Sequence, residues 1–154
     1  MGTDDLIWKP HVTVAAVAQR DGRFLVVEEE TDDGLRFNQP AGHLDPGESL
    51  ADAAIRETFE ETAYRFRPTA LLGVYQFHHA ASDTTYLRFA FAGTIAGHDP
   101  QRVLDHGIIR AVWLTPDELR ASVARHRTPL VIRCIEDYLA GRRYPLDLLH
   151  HYRV

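Results

Sequence analysis

Three glutamates crowd one short stretch of the sequence, RETFEETAY, which spans residues 56–64. In a helix, Glu57, Glu60 and Glu61 occupy positions i, i+3 and i+4, so their carboxylates share one face. Like charges at this spacing repel each other by roughly 0.2–0.5 kcal/mol per pair on an exposed helix. Arg56 is the one cation beside them in this stretch. A face of this kind is either solvated or built to bind a cation.

The apolar pattern of the same helix argues against a plain solvated face. Small apolar residues share the side of the glutamates: Leu50, Ala53 and Ala54. A second apolar edge lies roughly opposite: Ile55, Phe59 and Ala63. We therefore expect this helix to be covered on more than one side, with the glutamates in a cleft. Partly buried carboxylates must be paired, protonated or bound to metal.

Carboxylate oxygens are hard ligands that suit Mg²⁺, with Mn²⁺ as the alternative. Metal ions held in this way commonly assist the attack of water on a phosphoryl group. The nine histidines are scattered, with no His-x-x-x-His, so zinc is less favoured. The sequence has no GxxxxGK[ST] motif either, which excludes a P-loop protein.

Composition limits the class of protein. The chain has 154 residues, of which 45% are hydrophobic and 25% charged, so we expect one globular domain over residues 1–154. A formal net charge of -5 argues against a nucleic-acid polymer or an anionic membrane as partner. The single cysteine, Cys134, and the absence of a signal-peptide pattern in MGTDDLIWKPH predict a cytoplasmic protein.

The elements that must position the glutamates can also be predicted. Strands are expected over residues 12–18, 24–28, 71–77, 85–91 and 108–114, with a hairpin turn at residues 20–22. Ser49 is a good N-cap for a helix that runs to about Tyr64. Thr115 and Thr128 begin two further helices, and Gly141 ends the last. This order predicts a mixed sheet covered by helices, an α/β (α+β) fold.

The charged residues also form a family pattern. Five residues separate Gly42 from Glu48, seven more precede Arg56 and Glu57, and two more precede Glu60 and Glu61. This spacing resembles the Nudix box of the Nudix hydrolases, which cleave diphosphates linked to another moiety. Ala63 stands where the family usually has glycine, and Thr58 stands where an aliphatic residue is usual. The resemblance implies a Nudix-type α/β/α sandwich.

The resemblance also implies roles. Glu57, Glu60 and Glu61 would hold Mg²⁺, and Glu57 is also a candidate for activating water. A backbone carbonyl at Ala41 or Gly42 would complete the metal shell. Two further residues, Glu48 and Arg56, would form a supporting ion pair. Many relatives supply another carboxylate from a loop before a later strand; that position is empty here, and Asp105 is a weak substitute.

Outside the box, residues 8–150 resemble the NudJ-type phosphatase branch of the family, through segments such as KPHVTVAAV, FNQPAGHL and YLRFAF. This implies a small diphosphate as substrate: nucleoside tri- and diphosphates, or thiamine and hydroxymethylpyrimidine diphosphates, with release of phosphate. The alternatives are a Nudix pyrophosphatase of ADP-ribose or dinucleoside polyphosphates, and a non-catalytic Nudix-fold sensor. The assembly is expected to be a monomer or a homodimer.

Substrate contacts are predicted beside the box. Asn38 and Gln39 flank Pro40, and Arg88 lies on a strand, where it would meet a phosphate or form a surface salt bridge. His43 is a candidate for a place near the metal or a plain loop residue. Aromatic residues could form a slot for a pyrimidine-type ring or belong to the core: Phe37, Tyr75, Phe77 and Tyr86.

Overall fold

The computed structural model describes residues 7–154. Within this range the strands are β1 (His11–Arg20), β2 (Arg23–Thr31), β3 (Gly34–Asn38), β4 (Ala41–His43), β5 (Tyr64–His79), β6 (Thr84–His98) and β7 (Ile108–Leu114). The α-helices are α1 (Leu50–Thr62), α2 (Pro116–Ala121) and α3 (Leu130–Leu139). In the part of the chain that the structure describes, no helix has the length and apolar character needed to cross a membrane.

The strands form one mixed sheet. The order along the main path is β3-β2-β1-β6-β5, while β4 pairs with β1 and β7 pairs with β2. Strands β1 and β6 run parallel, with Thr13 opposite Arg88, and the other strand pairs are antiparallel. The parallel pair joins two distant parts of the chain through the centre of the sheet. The predicted mixed sheet is confirmed.

Helices cover both faces of this sheet. Successive side chains of β1 point to opposite faces, so this strand contributes residues to two separate buried clusters. Val14 and Ala16 pack in a buried cluster with Ala53 and Ala54 of α1. Ala15 and Val17 pack in the other cluster, which includes these residues of α2 and α3: Leu119, Cys134 and Ile135. The sandwich expected from the sequence is therefore confirmed. Cys134 is buried and free, as its apolar pattern predicts.

The β1–β2 hairpin turns where the sequence predicts. Asp21 and Gly22 have φ values of 52° and 74°, the positive values that a two-residue hairpin turn requires. Strands β5 and β6 are longer than predicted. Their pairing contains irregularities between Arg65 and Phe66, Pro68 and Ala70, and Leu71 and Gly73. Each irregularity shifts the alternation of side chains, which hides a long strand from a search for regular period-2 patterns.

Helix α1 begins as predicted and ends without glycine. The Ser49 hydroxyl accepts a hydrogen bond of 3.1 Å from the backbone N–H of Asp52. At the other end Ala63 adopts a left-handed conformation (φ 61°, ψ 9°), and its N–H donates to the Phe59 carbonyl at 2.9 Å. The side chain of Thr62 then accepts from the N–H of Tyr64 at 3.0 Å. Alanine thus takes the conformation that glycine usually supplies.

The second apolar edge of α1 is only partly covered. Ile55 is 38% exposed, so the expected cover is absent at that position. Phe59 is covered by the guanidinium groups of Arg65 and Arg102, 4.5 and 4.7 Å from the ring centre. Thr58, in contrast, is fully buried, and its hydroxyl donates to the Ala54 carbonyl at 2.7 Å. This internal bond explains how a polar residue fits a position where an aliphatic one is usual.

Candidate active site

Two glutamates of helix α1, Glu57 and Glu61, lie against strand β4. The Glu57 carboxylate fills the space where a side chain at position 42 would begin, so a Cβ on Gly42 would overlap it. Glycine is therefore required here for close approach between the strand backbone and the helix side chain. The same approach leaves the Gly42 backbone beside the carboxylate, as a shared metal site would need.

An acidic group of three forms at this contact. Ligand oxygens of Glu57, Glu60 and Asp105 all lie within 4.8 Å of one another. Asp105 comes from the loop before β7, and its backbone N–H donates to the Glu60 carbonyl at 3.0 Å. The structure thus brings Asp105, the weak substitute for the loop carboxylate, into this acidic group. Gly107 (φ 89°) forms a turn between Asp105 and strand β7, and this glycine is the feature of the local sequence that marks the loop.

Glu61 lies deeper than this acidic group. Its side chain faces inward, the residue is 9% exposed, and it accepts a hydrogen bond of 2.9 Å from the Ala41 N–H. Burial raises the pKa of Glu61 to about 8, and the negative charges of Glu29, Glu57 and Asp105 act in the same direction. Burial also raises the pKa of Glu57, against the opposing effect of Arg56.

Arg56 is the cation that holds the acidic residues together. Its Nε and Nη2 donate to the two carboxylate oxygens of Glu48 at 3.0 and 2.7 Å. Its Nη1 donates to Glu57 at 2.8 Å and Glu60 at 3.2 Å, and Nη2 also reaches the His43 carbonyl at 2.9 Å. This bidentate pairing lowers the pKa of Glu48. The structure therefore contains the ion pair that the sequence predicts.

The acidic residues open into a pocket of about 580 Å³. Its walls come from α1 and β4, from the β5–β6 hairpin, and from the loop before α3. Two of the four candidate aromatics, Phe77 and Tyr86, line the pocket, and they face each other across the β5–β6 pair. Phe37 and Tyr75 belong to the core instead. The pocket size suits a small organic ligand.

The predicted substrate residues form one hydrogen-bonded network. Arg88 donates from Nη1 to the Gln39 side chain at 2.9 Å and from Nη2 to the Asn38 side chain at 3.0 Å. Gln39 is 1% exposed and donates to the Val131 carbonyl at 2.8 Å, so it supports the network rather than facing the pocket. Asn38 and Arg88 line the pocket.

His43 also lines the pocket, beside Gly42. Its Nε2 lies 3.2 Å from Nδ1 of His11, so one ring donates to the other. Burial lowers the pKa of His43, and a positive charge on His11 acts in the same direction. The structure therefore places this histidine near the acidic group. No sequence signal distinguished it from an ordinary loop residue.

The donor set fits a hard divalent cation. Three carboxylates crowd within 4.8 Å, and a glycine backbone lies against Glu57. Burial raises the pKa of Glu57 and of the neighbouring Glu61, so negative charge there is costly without a cation. Glu57, Glu60 and Asp105 are the residues that would hold it, with Glu61 behind them.

Comparisons with known proteins agree with this site. The NUDIX domain family matches residues 9–134. The chain is 39% identical over 143 residues to Phosphatase NudJ of Escherichia coli O1:K1 / APEC, covering 93% of this chain and 92% of that protein. Phosphatase NudJ of Shigella flexneri has the same identity and coverage.

Solved structures show the same relationship. A NUDIX hydrolase from Nitrosomonas europaea superimposes with a TM-score of 0.91 at 54% identity, covering 94% of this chain and 98% of the other. A MutT NUDIX hydrolase from Burkholderia pseudomallei shares the fold, with a TM-score of 0.72 at 22% identity over 84% of this chain and 98% of the other. The family match and these relatives together show that the chain belongs to the Nudix hydrolase family.

Proposed function

We propose that this protein is a Mg²⁺-dependent phosphohydrolase that cleaves diphosphate linkages by attack of water at phosphorus, with Mn²⁺ as an alternative metal. The observation that carries this proposal is the approach of Glu57, Glu60 and Asp105 within 4.8 Å of one another, with Glu57 lining a pocket. The similarity to the NudJ phosphatases supports the same conclusion. The single buried cysteine supports a reducing, cytoplasmic location.

Each residue has a distinct part in this proposal. Glu57, Glu60, Glu61 and the Gly42 backbone hold the metal, and Asp105 joins them from the loop. When bound, Mg²⁺ neutralises the diphosphate and lowers the pKa of water. Glu57 accepts the proton of the attacking water, because its carboxylate lines the pocket beside Glu60 and Asp105.

The rest of the site orients the reactants. Arg56 fixes Glu57 and Glu60, and its pairing with Glu48 anchors it to the turn before α1. Asn38 and Arg88 contact the substrate, while Gln39 holds Arg88 in place. These contacts fix the diphosphate in one orientation relative to the carboxylates, which is a large part of catalysis in phosphoryl transfer.

The proposed substrates are nucleoside tri- and diphosphates and thiamine or hydroxymethylpyrimidine diphosphate, with release of phosphate. Phe77 and Tyr86 support an aromatic group on the substrate, since both line the pocket and they are opposite each other in the β5–β6 pair. The relatives supporting this choice are the NudJ phosphatases.

The test is a substrate screen with Mg²⁺ in which phosphate and pyrophosphate are measured separately. We expect orthophosphate from thiamine diphosphate or from a nucleoside triphosphate. Cleavage of ADP-ribose without orthophosphate from these compounds would establish the alternative pyrophosphatase. Absence of hydrolysis from every diphosphate tried would favour a sensor.

Two substitutions test the metal site itself. Glu60→Gln and Glu61→Gln each remove a charge but keep the shape of the side chain, so we expect turnover to fall by roughly 100-fold with the fold retained. Glu136→Gln is the control, because Glu136 is an exposed glutamate of α3 paired with Arg120. Turnover and the far-UV circular dichroism spectrum are measured for all three. Normal turnover in both box variants would disprove the assignment.

A further inference from the structure

The pocket is electrically two-sided. Its acidic end contains Asp45, Glu57 and Glu61, and its other end contains two arginines, Arg88 and Arg127, with one carboxylate between them. A metal ion held by the glutamates would balance the negative charge of the acidic end only. In the sheet, His43 of β4 and Arg88 of β6 both lie opposite Thr13 of β1. The backbones of His43, beside the acidic end, and Arg88 are therefore two strand spacings apart, about 10 Å.

Arg88 brings an unbalanced positive charge to the basic end. It is 5% exposed, yet its partners are the neutral side chains of Asn38, Gln39 and Cys134. No carboxylate among residues 7–154 pairs with it directly. Arginine cannot lose its proton in a protein, and a buried charge is stable only when an anion is near. A ligand in the pocket can supply that anion.

Arg127 lies across the same end, in the loop before α3. Its Nη1 contacts the Glu29 carboxylate at 2.7 Å, and its backbone N–H donates to the Phe37 carbonyl at 2.8 Å. Glu29 is 8% exposed and also accepts a long hydrogen bond of 3.5 Å from Asn38. Glu29 therefore connects Arg127 to the Asn38–Arg88 network. The net charge of these three groups is positive.

We propose that Arg88 and Arg127 form an anion site at the basic end of the pocket, and that this site binds the phosphoryl oxygens of the substrate that the metal does not hold. Glu29 pairs with Arg127 and offsets part of the positive charge of the site. The inference rests on the proposed function for its substrate class. It selects substrates with phosphate charge beyond a single diphosphate, such as nucleoside triphosphates.

The sequence contains a matched control for this site. Arg125 and Arg127 are two residues apart, each pairs with a glutamate of β2, and their side chains are 45% and 48% exposed. Arg125 pairs with Glu28 at 2.6 Å and stacks on the Phe37 ring, and it does not line the pocket. The two ion pairs are thus alike in length and in the exposure of the arginine, and the two arginines differ in access to the pocket.

The experiment measures binding without turnover. Methylenediphosphonate, whose P–C–P bridge resists hydrolysis, is titrated calorimetrically into the full chain without added Mg²⁺, so that its phosphonate groups are free to occupy the basic end. We expect Arg127→Met to weaken binding about 10-fold, since one charge-assisted hydrogen bond contributes about 1.5 kcal/mol. We expect Arg125→Met to change it less than about twofold. Equal weakening in the two variants, or no weakening in Arg127→Met, overturns the proposal.

A third variant separates ligand binding from a structural role. Glu29→Gln removes the negative charge beside the anion site but keeps the size of the side chain. We expect it to tighten methylenediphosphonate binding by several-fold, whereas a purely structural ion pair would give weaker binding or none. Unchanged or weaker binding in this variant also overturns the proposal.

Kinetics with natural substrates provide a further readout. In Arg127→Met we expect KM to rise and kcat to change little, because the contact is present before and during the reaction. The rise in KM should be larger for a nucleoside triphosphate than for the corresponding nucleoside diphosphate. Equal rises for the two substrates would contradict a preference for substrates with more phosphate charge. If no substrate is turned over but Arg127→Met still weakens binding of the probe, the anion site stands and the proposed hydrolase activity fails.

Discussion

At the scale of single residues, Gly42 and Glu57 show how a missing side chain shapes a site. The carboxylate occupies the volume that any Cβ at position 42 would need. Arg56 holds the same carboxylate from the other side at 2.8 Å. The position of the Glu57 carboxylate therefore depends on the absence of a side chain at Gly42 and on the ion pair with Arg56. Both constraints are local to the contact between β4 and α1.

Gly42→Ala should accordingly impair catalysis more than stability. The added methyl displaces the Glu57 carboxylate, and a misplacement of about 1 Å can cost about 100-fold in rate. We expect kcat/KM to fall by about that factor and the Mg²⁺ dependence to shift to higher concentration. Gly97→Ala is the control, because a Cβ there meets only the Arg65 side chain at 3.8 Å. Similar rates in the two variants would contradict this role for Gly42.

Glu61 makes the stability of the metal-free protein depend on pH. Its folded pKa of about 8 exceeds the value of 4.5 for a free glutamate, so between these values the folded state binds more protons than the unfolded state. The free energy of unfolding should therefore be highest near pH 5 and fall as the pH rises to 8. Urea unfolding of the metal-free protein across this range measures the slope.

Glu61→Gln is the check on that assignment, because glutamine stays neutral throughout. We expect this variant to lose most of the slope and to be the more stable protein at pH 8. Mg²⁺ should flatten the slope of the wild type as well, since it compensates the charge of Glu61. If Glu61→Gln keeps the full slope, another group is responsible for the pH dependence.

At the scale of elements, the sequence predicts helix ends better than strand ends. Ser49 and Thr115 cap α1 and α2 as expected, because capping depends on a few adjacent residues. The long strands β5 and β6 were recognised only in part, since irregular pairing interrupts their alternation. The Arg127–Glu29 pair joins residues far apart in the chain, so no local pattern reveals it. Asp105 is predicted only as a weak substitute, because its approach to Glu57 and Glu60 depends on the fold.

The end of α1 gives a prediction at this scale. Ala63→Gly relieves a left-handed alanine, a gain of about 1–2 kcal/mol. It also removes a buried methyl, a loss of about 0.8 kcal/mol, and adds backbone freedom to the unfolded chain, a loss of about 0.5–1 kcal/mol. These effects nearly cancel, so we expect the free energy of unfolding to change by less than about 1 kcal/mol.

Ala63→Val is the contrasting variant. A β-branched residue fits the left-handed conformation poorly, and this position is 2% exposed. We expect it to lower the free energy of unfolding by roughly 2 kcal/mol or more, through strain and overpacking. Chemical denaturation of both variants measures the difference. A stable valine variant would show that the helix can end in another way.

At the scale of the whole molecule, the C-terminal segment ties the edge of the sheet to the helix of the site. Tyr144 and Leu71 exchange backbone hydrogen bonds of 2.8 Å in both directions, next to the outer strand β5. Leu146 and Leu149 then pack against the cluster that contains Ala53 and Ala54 of α1. This segment therefore supports the active site from the side away from the pocket.

Truncation tests that support. A chain that ends at Tyr144 loses both leucines and uncovers the apolar face beneath α1, so we expect a lower melting temperature and reduced turnover. A chain that ends at His151 loses only exposed residues and should behave like the full protein. Thermal melting and turnover are compared for the three chains. Equal melting temperatures for the shorter truncated chain and the full chain would contradict the supporting role.

The central parallel pair also determines when the site can exist during synthesis. Strand β1 needs residues 86–93 of β6 as its parallel neighbour, and these residues are made long after the glutamates of α1. A nascent chain that stops before β6 has the first hairpin and the helix but leaves one edge of β1 open. Pairing across such a long loop is slow, because the ordering of the loop precedes the contacts that stabilise it. We therefore expect the pocket beside α1 to be completed only after β6 has been synthesised and has paired with β1.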